Sequence, residues 1–204
     1  GAHRDLHSFP TRRSSDLDPE FYATTYRKIY QADEEPTAKD LWVQGQRSQH
    51  LITIVRKSGA REVANMLDIG ASAGVLLQAF QKAFGCAVTG VEPGEAYRGF
   101  AEEKGIRMFS SVDDLSESKP ERFDLVSMSH VMEHLSDPVG MLRLIREQLL
   151  KDDGLLLLEV PNFYAHDSYE LAHLACYTPH TLTEALRLAR SEERRVGKEC
   201  RSRW

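Results

Sequence analysis

From Val63 onward the chain alternates short apolar runs with amphipathic stretches. The runs at 65–69, 87–91, 107–109, 123–128 and 155–160 have the length and β-branched content of strands. Between them, apolar residues at helical spacing predict helices over 74–84, 96–104, 138–150 and 179–188. Such alternation predicts a parallel sheet with helices on both faces. The run Leu155-Leu156-Leu157-Leu158, entered through Asp152-Asp153-Gly154, has the pattern of a strand buried on both sides. Residues 18–59 are expected to form a helical lead-in. Tyr22, Tyr26 and Tyr30 recur every fourth residue, and a second segment starts near Thr37, carries Leu41, Trp42, Leu51, Ile52 and Val55, and closes at Gly59. The tyrosine stripe reads as core packing, or as a lid over a ligand.

The two ends change the picture of charge and length. Residues 190–204, back-translated with ordinary codons and read on the reverse complement one base out of phase, give the sequence of residues 3–17. One short DNA read on opposite strands accounts for both, and both resemble a translated sequencing adaptor. The expected organisation is therefore an artefactual leader at 1–17, a lead-in at 18–60, a ligand-binding domain at 61–189 and an artefactual tail at 190–204. The ends carry nine Lys/Arg and five Asp/Glu, so the rest bears about −9 of a chain total of −5. So acidic a domain is a poor generic binder of phosphate backbones, and nucleic acid is not the expected partner. No apolar stretch is long enough to span a bilayer, and Cys86 and Cys176 are the cysteines outside the ends. A reduced, cytoplasmic setting is expected.

The candidate chemistry begins at Leu67-Asp68-Ile69-Gly70-Ala71-Ser72-Ala73-Gly74 and continues, after a predicted helix, at Val88-Thr89-Gly90-Val91-Glu92. An apolar strand, a glycine-punctuated turn, a helix and a second strand ending in a carboxylate form a nucleoside site in open parallel sheets. Gly70 and Gly74 let the backbone bend and a ligand approach the N–H groups of the helix start. Asp68 at the strand tip would repel a pyrophosphate. S-adenosylmethionine has no phosphate, and its ammonium and sulfonium are cationic, so an acidic strand end suits it. Glu92 stands where a carboxylate would accept hydrogen bonds from both ribose hydroxyls; otherwise it is a turn residue before Pro93-Gly94.

With Phe123-Asp124-Leu125-Val126, His130-Val131-Met132-Glu133-His134-Leu135-Ser136-Asp137-Pro138 and Asp153-Gly154-Leu155 through Asn162 in the same order, the chain resembles the class I S-adenosylmethionine-dependent methyltransferases. That resemblance implies an α/β, Rossmann-like, doubly wound and mostly parallel sheet with a helical lead-in. It implies S-adenosyl-L-methionine as cofactor, with Asp68, Gly70, Ser72, Gly74, Glu92 and His130 around it. Ser72 replaces the family's usual second glycine, and Asp152-Asp153-Gly154 its usual Pro-Gly-Gly turn. Family members add a further antiparallel strand pair after the helix at 179–188. The last two strands are thus expected to be missing here, leaving 155–160 as an apolar edge and the chain poorly soluble or weak in cofactor binding.

Two other signatures share these letters. Gly70-Ala71-Ser72-Ala73-Gly74 matches a serine-hydrolase nucleophile elbow, but the chain before it is too short for the strands that usually precede one. His130-Val131-Met132-Glu133-His134 matches an inverted zinc-peptidase motif, but that needs a longer helix. The resemblance also carries a minority metal reading. In small-RNA 2′-O-methyltransferases and some quinone O-methyltransferases this post-strand motif holds a divalent ion, so His130, Glu133, His134 and His173 are candidate ligands. Such an ion would bind a vicinal diol or catechol and lower the attacking hydroxyl's pKa. The favoured alternative has Glu133 and His134 bracing the next helix and His130 packing on the cofactor, with no metal.

Methyl transfer from a sulfonium is an in-line displacement, so the protein aligns the reactants and removes the acceptor's proton. His130 is the first candidate base, His134 or His173 the second. The acceptor is expected to be a small molecule, with the hydroxyl oxygen of a sugar or other metabolite first. A regulatory domain that binds cofactor without turnover is the non-enzyme alternative.

Overall fold

The computed structural model describes residues 35–59, 62–165 and 173–189. The tyrosine stripe and both proposed end segments lie outside them. Helix α1 (Ala38–Lys57) begins at a capping box: the Asp40 N–H donates to Thr37 Oγ1 at 3.2 Å, and the Thr37 N–H to Asp40 Oδ2 at 3.1 Å. Its buried stripe, Ser48, Leu51, Ile52 and Val55, recurs at the i, i+3, i+4, i+7 spacing of one helix face.

Five strands follow: β1 (Asn65–Ile69), β2 (Ala87–Val91), β3 (Arg107–Phe109), β4 (Phe123–Ser129) and β5 (Leu150–Glu159). All pair in parallel, in the order β3-β2-β1-β4-β5. The order reverses between β1 and β4, where β2 and β5 lie on opposite sides of the central pair. Open parallel sheets bind ligands outside the carboxyl ends of the strands at such a point.

Helices α2 (Val75–Phe84), α3 (Glu95–Glu103), α4 (Val112–Glu117), α5 (Pro138–Leu144) and α6 (Pro179–Leu188) make the crossovers and close the described chain. Alternating strand residues divide the core in two. Met66 and Leu125 pack with Leu51, Val55, Leu77, Phe80 and Ala101 on one face. Leu67, Val126 and Met128 pack with Leu115, Leu142, Ile145 and Ala185 on the other. Burial on both faces is the reason these strands read as continuous apolar runs.

At the amino edge of the sheet Asp124 ties β1 to β4 and β5. Its Oδ2 accepts from the Ala64 and Asn65 N–H groups, both at 3.0 Å, and its Oδ1 from Lys151 Nζ at 2.7 Å. Burial opposes the charge, but the Lys151 ammonium and the backbone donors outweigh it and hold the carboxyl below its ordinary value.

Three expectations need correction. The helix expected over 138–150 is α-helical only to Leu144, after which Ile145–Leu149 form one π-helical turn leading straight into β5. Asp152-Asp153-Gly154 is not a turn before the strand. Phe123 pairs with Leu150 and Leu125 with Leu155, so three extra residues bulge out within β5. Of Leu155–Leu158 only Leu157 is buried, because β5 is the outer strand of the described sheet. The short helix α4 went unpredicted; six residues are too few for a periodic signal.

Candidate functional site

The turn after β1 is built from left-handed backbone. Gly70 and Gly74 have φ of 80° and 72°, and Ser72 between them has φ of 49°. A Cβ at Gly70 would run into the Val131 side chain, and one at Gly74 would lie 2.5 Å from Ile106 Cδ1 and 2.9 Å from Ala101 Cβ. Glycine is required there for space as well as conformation. The Gly70 and Ala71 N–H groups donate to the Val91 carbonyl at 2.8 and 2.9 Å, docking the turn on the end of β2.

Glu92 holds this turn from the neighbouring strand. Its Oε2 accepts the Ser72 N–H at 2.9 Å and its Oε1 the Gly94 N–H at 2.8 Å. Arg98 Nη1 meanwhile donates to the Glu92 carbonyl at 2.9 Å. Each carboxylate oxygen accepts more than one bond, so the acid can brace the loop and still receive hydroxyl donors. Glu92 is 4% exposed.

Asp68 is 3% exposed, and its Oδ1 accepts the Ser127 hydroxyl at 2.6 Å across β1 and β4. Burial pushes its carboxyl up to about 7; the Ser127 hydrogen bond works against that shift, and the nearby Glu92 charge adds to it. Two neighbouring buried acids at the carboxyl ends of β1 and β2, one of them with its carboxyl raised to about 7, suit a ligand that brings positive charge.

His130 sits directly after β4 with φ of 56°, its N–H donating to the Glu159 carbonyl at 2.8 Å. That left-handed residue follows the last residue of β4, and its imidazole lies between two acids. Nδ1 lies 3.4 Å from Glu133 Oε1 and Nε2 lies 4.0 Å from Glu159 Oε1. The chain then makes one 3-10 turn, Met132–His134. The peptidase reading is thereby excluded, since no α-helical face carries both histidines.

Glu133 is 1% exposed, and neither of its carboxylate oxygens has a hydrogen-bond partner among the described residues. The Leu174 and Ala175 N–H groups donate to its carbonyl at 2.8 and 3.1 Å, which brings the later segment against this turn. Ligand atoms of Glu133, His134 and His173 consequently lie within 4.8 Å of one another, with the two imidazole rings edge-to-face at 4.9 Å. His130 is not in that group. The Tyr177 hydroxyl donates to the Met132 carbonyl of this turn at 3.5 Å; burial, then the Glu133 charge, pushes it up to about 12.

Several residues at this edge were not expected from the sequence. Gln44 Nε2 donates to Ser72 Oγ at 3.3 Å, and Arg47 Nε pairs with Glu159 Oε2 at 3.5 Å. Ser129 donates its hydroxyl to the same Glu159 oxygen, and Ser127 serves Asp68. A signal did exist for the first two. Gln44 and Arg47 continue the Ser48–Val55 stripe one turn towards the N-terminus, and polar residues on such an extension mark where a helix face leaves the core. The Ser72 hydroxyl is thus occupied by an amide of α1, as a structural residue rather than a hydrolase nucleophile.

A methyltransferase domain family model matches residues 43–189. The ubiquinone biosynthesis O-methyltransferase of Actinobacillus pleuropneumoniae serotype 5b is 30% identical, over 55% of this chain and 55% of that one. The chain thus spans about half the length of the curated relatives it matches. Among solved structures, an S-adenosylmethionine-dependent methyltransferase from Archaeoglobus fulgidus superposes with a TM-score of 0.55 at 20% identity, covering 82% of this chain and 73% of that one. A sugar N-methyltransferase from Streptoalloteichus gives 0.52 at 19%, covering 66% and 58%. With its sheet order, its glycine turn and a family match over most of its length, this chain belongs to the class I S-adenosylmethionine-dependent methyltransferases.

Proposed function

We propose that this protein transfers the methyl group of S-adenosylmethionine to a hydroxyl oxygen of a small metabolite, with a sugar or a phenol as the first acceptor class to test. The observation that carries the reading is the pair of buried acids, Asp68 and Glu92, on either side of a left-handed backbone turn that a Cβ would fill. Those residues fit the cofactor: Glu92 for the ribose hydroxyls, Asp68 for the cationic end, the Gly70–Gly74 backbone for close approach. Arg47, brought to the same edge by α1, suits the carboxylate of the amino-acid moiety. When bound, the cofactor supplies an electrophilic methyl group. The protein's part is to align the acceptor with it and to take the acceptor's proton, and His130, a partly exposed imidazole directly after β4, is the candidate for that step. The names of the curated relatives support an oxygen acceptor.

Calorimetry with S-adenosylhomocysteine is the direct test. Micromolar binding that weakens by about tenfold or more in Glu92→Gln is expected, because two ribose hydroxyls lose a charged acceptor. Wild-type protein with no detectable affinity would remove the reading. Transfer of labelled methyl groups to a metabolite extract separates an enzyme from a domain that only binds.

A second reading rests on the Glu133–His134–His173 group. A divalent cation held there would polarise the acceptor oxygen and serve a catechol-type diol or an RNA 2′-hydroxyl. A buried carboxylate lacking hydrogen-bond donors is the observation in its favour. Two imidazoles and one carboxylate suit manganese, cobalt or zinc better than magnesium. Equilibrium dialysis with Mn²⁺ tests it: about one ion per chain, lost in His173→Ala, supports the site. No retained ion leaves the metal-free base.

A further inference from the structure

Ser72 is the middle residue of the Gly70–Gly74 turn and has φ of 49°, although it carries a Cβ. Gly70 and Gly74 occupy the same left-handed region without that cost. A side chain kept in strained backbone points to work done by the side chain. The Ser72 N–H donates to Glu92 Oε2 at 2.9 Å, and its Oγ accepts the Gln44 amide N–H from α1 at 3.3 Å. That second contact ties the turn to α1 but uses only an acceptor site of the oxygen. The hydroxyl proton makes no hydrogen bond among the described residues, and the residue is partly exposed.

We propose that Ser72 is a specificity residue for the ribose of the methyl donor: its hydroxyl donates to one of the two ribose hydroxyl oxygens, and Gln44 is the positioning residue that directs it. The inference rests on reading the crevice as an S-adenosylmethionine site with Glu92 at the ribose. The Ser72 N–H is bonded to the Glu92 carboxylate, so the serine side chain is rooted beside the ribose acid. A ribose hydroxyl that gives its proton to Glu92 keeps two lone pairs, and a nearby donor completes its bonding. Gln44 sets the sense of the chain. An amide nitrogen can only donate, so Ser72 receives from α1 and has its proton to pass onward. From Gln44 through Ser72 and the ribose to Glu92, each donor then faces an acceptor, and bonds in such a chain polarise one another. A glycine, the family's usual residue here, supplies neither the hydroxyl nor the contact with α1.

The test is calorimetry on the whole protein with four probes: S-adenosylhomocysteine, its 2′-deoxy and 3′-deoxy analogues, and 5′-methylthioadenosine, which keeps the ribose and lacks the amino-acid moiety. Ser72→Gly suits left-handed backbone, so its melting temperature should stay within about 3 °C of the parent's. The variant should bind S-adenosylhomocysteine and 5′-methylthioadenosine about fivefold more weakly, and one of the two deoxy analogues as the parent does. Gln44→Met should weaken S-adenosylhomocysteine by about twofold, and by nothing further when combined with Ser72→Gly. Unchanged S-adenosylhomocysteine affinity in Ser72→Gly would overturn the proposal. So would equal weakening of all four probes, which would make Ser72 a support of the turn alone. A loss seen with S-adenosylhomocysteine but not with 5′-methylthioadenosine would turn the hydroxyl towards the amino-acid moiety, and overturn it as well. Parent-like binding in Gln44→Met would overturn the role given to Gln44. Wild-type protein that binds none of the probes would instead remove the cofactor reading and the proposal with it.

Discussion

Replacing His130 with alanine is expected to lower the rate of methyl transfer by about 10²–10⁴-fold, the usual contribution of a positioned base, while S-adenosylhomocysteine affinity stays within a few-fold. The residue follows β4 at the strand-order reversal, and its side chain, 28% exposed, lies beside the buried Glu133 carboxylate. His130 also occupies left-handed backbone, which costs any residue with a Cβ about 1–2 kcal/mol and which histidine and asparagine adopt more readily than alanine. His130→Asn is the matching control, because asparagine tolerates that conformation and cannot act as a base at neutral pH. Turnover within a few-fold of the parent in both variants, with cofactor binding intact, would rule His130 out as the base.

Asp68 makes the second prediction, and it concerns the sign of a pH dependence. Its carboxyl is raised from 3.8 to about 7 in the folded protein, chiefly by burial. The native state therefore holds a proton that the unfolded chain releases, and stability falls as pH rises between those two values. Complete expression of that shift amounts to on the order of 4 kcal/mol, destabilising above pH 7 and relieved towards pH 4. Unliganded protein should consequently melt higher at pH 5.5 than at pH 8, and Asp68→Asn should flatten that slope. The ligand acts in the opposite sense: a cationic group beside Asp68 favours the ionised acid, so cofactor affinity should rise through pH 7. Melting curves of parent and Asp68→Asn at several pH values, with and without S-adenosylhomocysteine, separate the two effects. Parallel pH slopes in the two proteins would show that Asp68 is not the group responsible.

The conflict at Asp68 follows from the fold. A carboxylate on a central strand, paired with β2 on one side and β4 on the other, would ordinarily be excluded from such a position. Ser127 supplies one hydrogen bond and partly offsets the cost. A fold that keeps such a group gives up stability at the place where it binds charge, as functional sites commonly do.

The surroundings of His130 are acidic. Glu133 and Glu159 flank His130, and Arg47 compensates one of them. No described helix is long and apolar enough to cross a membrane.

Much of this protein was determined by sequence alone. The alternation of apolar runs and helical periodicity specified a parallel α/β sheet, and four of the five strands lie within a residue of their expected bounds. The glycine spacing in Gly70–Gly74 and the acids at the ends of β1 and β2 were legible because backbone geometry and strand ends leave local marks. The first five residues of the fifth strand were not, because Leu150 pairs with Phe123 through long-range contacts that no window around residue 150 contains.

Tertiary structure alone decided what the side chains meet. Residues 44, 47, 72 and 159 lie far apart in the chain, and only the docking of α1 across the sheet edge brings Gln44 to Ser72 and Arg47 to Glu159. The protonation of Asp68 likewise depends on burial and on Ser127 and Glu92, at 59 and 24 residues' remove. Hydrophobic patterning acts through neighbours a few positions away and so can be read along the chain. Electrostatics and hydrogen bonding act through space, and only folding fixes which groups share that space.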